Sequence, residues 1–231
     1  MNASRHRVWV TRDETDDGPL SRAIRGHGFD VETAPLLRTE QLSDGEAALR
    51  SLSPGDWLVL TSPQALRSVS ALAISLGLRT AVVGEASRRI AEARGFRVAL
   101  TAPEASAKDL WNSLRPLVQG QRVCFLKSEH APLPESPLQD FISETIYRMV
   151  PVMVDPAVVT RCTVVAFTSP TAVTACLGQF GGVPLPAACI GATTESCATH
   201  LGANILCVPR IPSLNALASE ISTAIRDLES S

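Results

Sequence analysis

The chain reads as an α/β protein of two similar domains, each built on a doubly wound parallel sheet, with a discontinuous first domain and a two-stranded linker. Three observations predict this. A long stretch recurs at a constant offset of 107 positions, without a gap: Ser62 matches Ser169, Gly84 matches Gly191, Gly95 matches Gly202 and Leu110 matches Leu217. Each copy alternates short β-branched runs with helical segments. The residues outside the repeat form two further strand–helix–strand units, one before the first copy and one after it.

The elements follow in order. RVWVTR (7–12) is a strand, SRAIRGHG a helix and FDVETAPLL a second strand. The first copy supplies DWLVL, RTAVVG and FRVAL as strands. Between them Ser62 is placed to cap a helix, Pro63 sits at a first turn where a missing N–H is harmless, and Gly95 closes a later helix. RVCFLK (122–127), a short helical PLQDFI and the strand ETIYRMVPV make the second flanking unit. The second copy then repeats the pattern with TVVAF, AACIG and NILCV, with Ser169, Pro170 and Gly202 in the same roles. Residues 1–36 and 157–231 make the first domain and 37–156 an inserted sister, linked by strands near PLLRT and PVMVD.

Bulk properties narrow the function. The 231 residues carry a formal charge of −2 and only 4% aromatics, so no general electrostatic pull toward nucleic acid or anionic membrane exists. The start MNASRHRVWV lacks a secretory apolar stretch, and no run approaches a membrane span, which places the protein in the cytoplasm. All six cysteines lie from Cys124 onward with no CxxC pair, and they read as reduced, mostly buried thiols. No GxSxG, P-loop, GxGxxG or HExxH occurs, which leaves hydrolase, nucleotide-dependent and zinc-peptidase chemistry without support. The acidic run Asp13, Glu14, Asp16 and Asp17 reads as a solvated turn.

In parallel sheets of this kind ligands bind at the carboxyl ends of the strands, beside helix amino termini. Thr-Ser-Pro stands at that rim twice, and the two rims would face a shared cleft. Thr11, Thr61, Ser62, Thr168, Ser169, Thr193 and Thr194 supply hydroxyls there, and Gly84 and Gly191 open the turns. This equipment suits a polar or anionic ligand. The same Ser-Pro pairs are equally good helix starts, and both readings stand on spacing alone.

The motifs VTR, TSPQAL, VVGEAS, FTSPTAV, IGATT and PSLNALASEI, in this order and spacing, resemble the uroporphyrinogen-III synthase family over nearly the whole chain. The resemblance implies two flavodoxin-like α/β domains. It also implies closure of hydroxymethylbilane, a linear tetrapyrrole, to uroporphyrinogen III with inversion of the last ring and loss of water. The route runs through an azafulvene cation and a spiro intermediate, without a cofactor. The substrate carries eight carboxylates, which helix amino termini and neutral donors could hold in a protein of net negative charge. Tyr147, the sole tyrosine, matches the family's functional tyrosine and would assist departure of the hydroxyl; otherwise it is an amphipathic linker-edge residue with its OH in water. Thr193 and Thr194 match the family's paired threonines, and Arg12 matches the arginine after the first strand. Arg12 would meet a substrate carboxylate or stand solvated. A small-molecule partner, no nucleic acid, no membrane and a monomeric state complete the expectation. Two departures stand out: SEHAPLPESP (128–137) replaces the family's anion-holding turn, and acids follow Arg12. The alternative from another class is a noncatalytic tetrapyrrole- or polyanion-binding module of the same fold.

Overall fold

The computed structural model describes residues 6–102, 106–135 and 138–230. The chain begins with β1 (Arg7–Val10), α1 (Pro19–Gly26), β2 (Asp30–Thr33), β3 (Leu37–Gln41) and α2 (Glu46–Leu49). The first repeat copy follows as β4 (Trp57–Leu60), α3 (Pro63–Ser68), α4 (Leu72–Ser75), β5 (Arg79–Val83), α5 (Gly84–Ala93), β6 (Arg97–Ala102) and α6 (Ala107–Leu114). After a 3-10 turn at Arg115–Leu117 come β7 (Val123–Ser128), β8 (Phe141–Pro151) and α7 (Ala157–Arg161). The second copy supplies β9 (Val164–Phe167), α8 (Pro170–Phe180), β10 (Ala187–Cys189), α9 (Ala192–His200), β11 (Ile205–Cys207) and α10 (Leu214–Glu229). The offset of 107 holds to the residue at β4 and β9 and at the starts of α3 and α8 and of α6 and α10.

The protein is mixed α/β with parallel-dominated sheets. Two compact units are present, Met1–Arg38 with Val150–Ser231, and Thr39–Met149. In the first unit five strands run in the order β11-β10-β9-β1-β2, every neighbouring pair parallel. Its apolar strands serve two cores at once, which explains their nearly unbroken hydrophobic runs. Trp9, Val165 and Phe167 pack on one face against residues of α7, α8 and α9. Val8, Val10, Val164 and Ala166 pack on the other against α1 and α10. The Trp9 indole N–H donates to the Ala34 carbonyl at 2.7 Å, so the largest core side chain leaves no polar atom stranded.

In the second unit the sheet order is β3-β8-β7-β4-β5-β6, with parallel pairing from β8 through β6. It holds six strands, one more than the sequence pattern assigned, because the PLLRT segment joins as β3 beside β8. The PVMVD segment is not a strand of its own: β8 ends at Pro151 and residues 152–155 are irregular. Leu58, Leu60, Cys124 and Leu126 form the core of one face, and Trp57, Val59, Val123 and Phe125 that of the other, with Leu110 and Trp111 of α6.

One expected helix is not formed. In the PLQDFI segment Pro137 lies outside the described residues, Gln139 and Asp140 make a turn, and β8 already begins at Phe141. Asp140 takes the left-handed conformation (φ 52°), which aspartate tolerates at a turn and which interrupts a helix. The described part of this connection instead lends Leu138 and Ala131 to the core beside α6.

The caps read from sequence are present. Ser62 Oγ accepts from Ala65 N at 3.0 Å, and Ser169 Oγ from Ala172 N at 3.3 Å. A second capping pair obeys the same offset, with Ser106 Oγ accepting from Asp109 N and Ser213 Oγ from Ala216 N. Gly95 (φ 90°) and Gly202 (φ 78°) follow α5 and α9 in the left-handed region that favours glycine. All six cysteines are free; Cys124, Cys162, Cys176 and Cys189 are buried, and Cys197 and Cys207 half-buried. Among the described residues no helix is long and apolar enough to cross a membrane. No group of three or more His, Cys, Asp or Glu among them could hold a metal.

Candidate functional site

The repeated corner is built identically at first. β4 and β9 each end in an apolar residue, a half-buried threonine follows, and a serine in extended backbone starts the helix. Each serine oxygen is engaged as acceptor by the amide three residues on, so its O–H proton remains free to donate. The hydroxyls of Thr61 and Thr168 make no hydrogen bond to any described residue.

The two corners then diverge. Tyr147 lies on β8 opposite Ser128 of β7, is only 6% exposed, and sets its OH 2.8 Å from Ser62 Oγ. Its hydroxyl is therefore held at the amino terminus of α3 rather than in bulk water. Either oxygen can be the donor of this hydrogen bond. Sequence reasoning named both residues but not their contact, because 85 positions separate them in the chain. The parallel neighbours β8-β7-β4 are what bring them together. Among the described residues Ser169 makes only its cap bond.

In the first unit Thr11 is 1% exposed and donates through Oγ1 to the Ala166 carbonyl at 2.7 Å. Its hydroxyl proton ties the end of β1 to β9. Arg12 Nε lies 2.9 Å from Glu14 Oε2, too poorly aligned for a good hydrogen bond but close enough for an ion pair. Glu14 corrects the solvated-turn reading of the acidic run: its side chain is 4% exposed and accepts from Ser21 N at 2.7 Å and Ser21 Oγ at 2.8 Å. A helix amino terminus attracts a carboxylate, and here the chain supplies its own.

The glycine pair shows that the copies are not backbone replicas. Gly84 opens α5 at φ 73°, a left-handed conformation, whereas Gly191 before α9 is fully extended. A Cβ on Gly191 would come 3.1 Å from Pro212 Cγ, so closeness rather than backbone twist favours glycine there. Thr193 is exposed and Thr194 buried, on the first turn of α9. Neither caps that helix, whose N-cap residue is Gly191 and which has no side-chain cap bond. Thr193 lines a shallow groove between α8 and α9 with Pro170 and Thr174.

In each unit hydroxyls and helix amino termini stand at the carboxyl ends of parallel strands, with a buried phenol in the second, and the class is that of α/β proteins with parallel-dominated sheets. The sequence model of the uroporphyrinogen-III synthase (HemD) family matches residues 18–219, and the chain belongs to that family. Its members are cyclising hydro-lyases of porphyrin biosynthesis. Thr11 and Arg12 precede the matched span. Among solved structures, uroporphyrinogen-III synthetase from Helicobacter pylori is similar at a TM-score of 0.62 and 16% identity, covering 96% of this chain and 100% of the other. A mutant uroporphyrinogen III synthase from Thermus thermophilus is similar at 0.59 and 15%, covering 96% and 99%. At such identities these likenesses carry the fold alone. A search of curated proteins found no match.

Proposed function

We propose that this chain closes hydroxymethylbilane to uroporphyrinogen III, inverting the terminal pyrrole ring and releasing one water, with Tyr147 as the acid. The observation that carries the role of Tyr147 is its 2.8 Å contact with Ser62 at the amino terminus of α3, inside the family-matched span. In the first step the phenol O–H donates to the hydroxymethyl oxygen, the C–O bond breaks, and water leaves an azafulvene cation. Ring closure through the spiro intermediate ends with loss of a ring proton, which restores the phenol. Ser62 holds the phenol in place while its own oxygen stays fixed by Ala65 N. A positioned general acid contributes roughly 10²–10⁴-fold, and holding a flexible chain ready to close contributes more.

Taken unit by unit, the amino terminus of α3 with the Thr61 hydroxyl, and the amino termini of α8 and α9 with the hydroxyls of Thr168, Thr193 and Thr194, are each equipped to take a substrate carboxylate. Each such terminus carries about half a positive charge and several N–H groups without helical partners. Arg12 supplies a formal cation, and Gly84, Gly191 and Thr11 shape the backbone that carries these groups. We read each unit as a flavodoxin-like domain, since both sheets follow the order 2-1-3-4-5 when β7 is counted as the first strand of the second. In that reading the first domain is discontinuous and the protein works as a cytoplasmic monomer.

The test is direct. Freshly generated hydroxymethylbilane is supplied to the purified protein, products are oxidised, and type I and type III isomers are separated by chromatography. Spontaneous closure yields type I, so a protein-dependent type III peak supports the proposal. Type I alone from folded protein sinks it in favour of a binding module.

A further inference from the structure

We propose that Glu14 is a positioning residue for ligand recognition: anchored on α1, it holds the Arg12 guanidinium by its Nε edge and leaves the two terminal nitrogens for a ligand carboxylate. This rests on the reading that Arg12 meets such a carboxylate. Nothing in the family match assigns Glu14, which lies before its first matched residue.

The anchoring is overdetermined. Gly18 is the N-cap of α1 and offers no side-chain cap, and Pro19 removes one amide at the first turn. Glu14 fills the place, its Oε1 accepting from the Ser21 amide and hydroxyl and its Oε2 from Leu20 N at 3.4 Å. Ser21 is itself buried, so the carboxylate is fixed from below. Glycine at 18 is required for this approach, because a Cβ there would lie 2.5 Å from Glu14 Cδ and 2.7 Å from its Cβ. The anion site at this terminus is consequently closed to any ligand.

What remains is the arginine. With Nε beside Glu14 Oε2, the side chain is 25% exposed, and its Nη groups bond to no described residue. A guanidinium grips a carboxylate best through two parallel N–H groups, and its planarity means that fixing one edge orients the opposite one. Glu14 thereby trades some net positive charge for a defined direction of the fork.

A double-mutant cycle of Arg12→Ala and Glu14→Gln tests this, read in parallel by steady-state type III formation and by the Kd of uroporphyrin III from its fluorescence. Glutamine keeps an acceptor for Ser21 and loses the ion pair. Arg12→Ala is expected to raise KM and Kd about tenfold, a charge-assisted contact's worth. Glu14→Gln is expected to raise both about three- to tenfold with kcat unchanged, and to add nothing in the Arg12→Ala background. Gly18→Ala, which displaces the Glu14 side chain while retaining it, should reproduce the Glu14→Gln effect. Urea unfolding midpoints for every variant separate loss of fold from loss of recognition. A purely capping Glu14 would lower the midpoints and leave KM and Kd of the folded protein alone, and that result overturns the proposal. So do additive effects, or a tighter Kd in Glu14→Gln, which would make Glu14 a repelling charge. Wild-type protein that binds uroporphyrin III but forms no type III isomer removes the enzymatic reading, while the binding cycle still decides the role of Glu14.

Discussion

Tyr147→Phe removes one oxygen and leaves the ring in place, so its effects can be worked out separately for stability and turnover. The lost interaction is the 2.8 Å bond to Ser62 Oγ. Ser62 keeps its bond from Ala65 N, so only its proton loses a partner. A neutral hydrogen bond of this kind is worth about 1 kcal/mol net, which in a chain of this size lowers Tm by about 2–4 °C. The turnover effect should be far larger. Without the phenol the hydroxymethyl oxygen leaves unassisted, and loss of a general acid predicts at least a hundredfold fall in type III rate, about 2.7 kcal/mol in the barrier. KM should change little, since the helix amides and threonine hydroxyls proposed to bind the carboxylates are untouched by the substitution.

The assay is initial type III formation against the type I background, with a thermal melt on the same sample. If Tyr147→Phe keeps more than half of the wild-type rate while its melt shifts as expected, Tyr147 is a packing residue and the acid lies elsewhere.

Ser62→Ala and Ser169→Ala should each lose a cap worth about 1 kcal/mol and melt lower by similar amounts, yet only Ser62→Ala should slow type III formation disproportionately. Gly202→Ala, forced into φ 78°, should lower the urea midpoint by about 1 kcal/mol in stability with activity per folded molecule unchanged. Burial first, then the nearby Glu144 charge, pushes the Cys124 thiol from its ordinary value near 9 up to about 12. The folded state keeps that proton while the unfolded chain loses it, so stability is fully present below pH 9 and falls as pH rises toward 12. Cys124 accounts for about 1.4 kcal/mol per pH unit in that window. Urea midpoints across it should fall less steeply in Cys124→Ala; equal slopes would show the thiol to be accessible.

Much of this fold was legible because its signals are local. A short β-branched run followed by Thr-Ser-Pro specifies strand end, cap and first turn within seven residues, and the offset of 107 doubled the evidence for each element. The connection from β7 to β8 was not legible in the same way. Its Leu138, spaced with Phe141 and Ile142 at the start of β8, fits a helical turn as well as an irregular cover for α6, and the left-handed Asp140 settles the matter. The candidate site was legible as separate residues rather than as contacts. Ser62 and Tyr147 meet because β8, β7 and β4 are neighbours, a long-range fact that no spacing encodes. Glu14 was misread because four nearby acids look alike in sequence, while only one of them reaches the amides of α1.

The repeat explains the frame, and the residues outside it explain the chemistry. Both copies deliver a capped helix beside a threonine whose hydroxyl bonds to no described residue, and by themselves they would give two equivalent corners. The differences come from the flanking strands. In the second unit β8 brings Tyr147 against Ser62, so that this cap serine also bonds a buried phenol. In the first unit the residues after β1 bring Arg12 and Glu14, converting a helix terminus from a ligand site into an anchor for a cation. The repeated frame thus carries two unlike rims, set by residues outside the stretch that recurs at the offset of 107. On this reasoning, removal of Tyr147 has no substitute anywhere in the chain, because no second tyrosine exists.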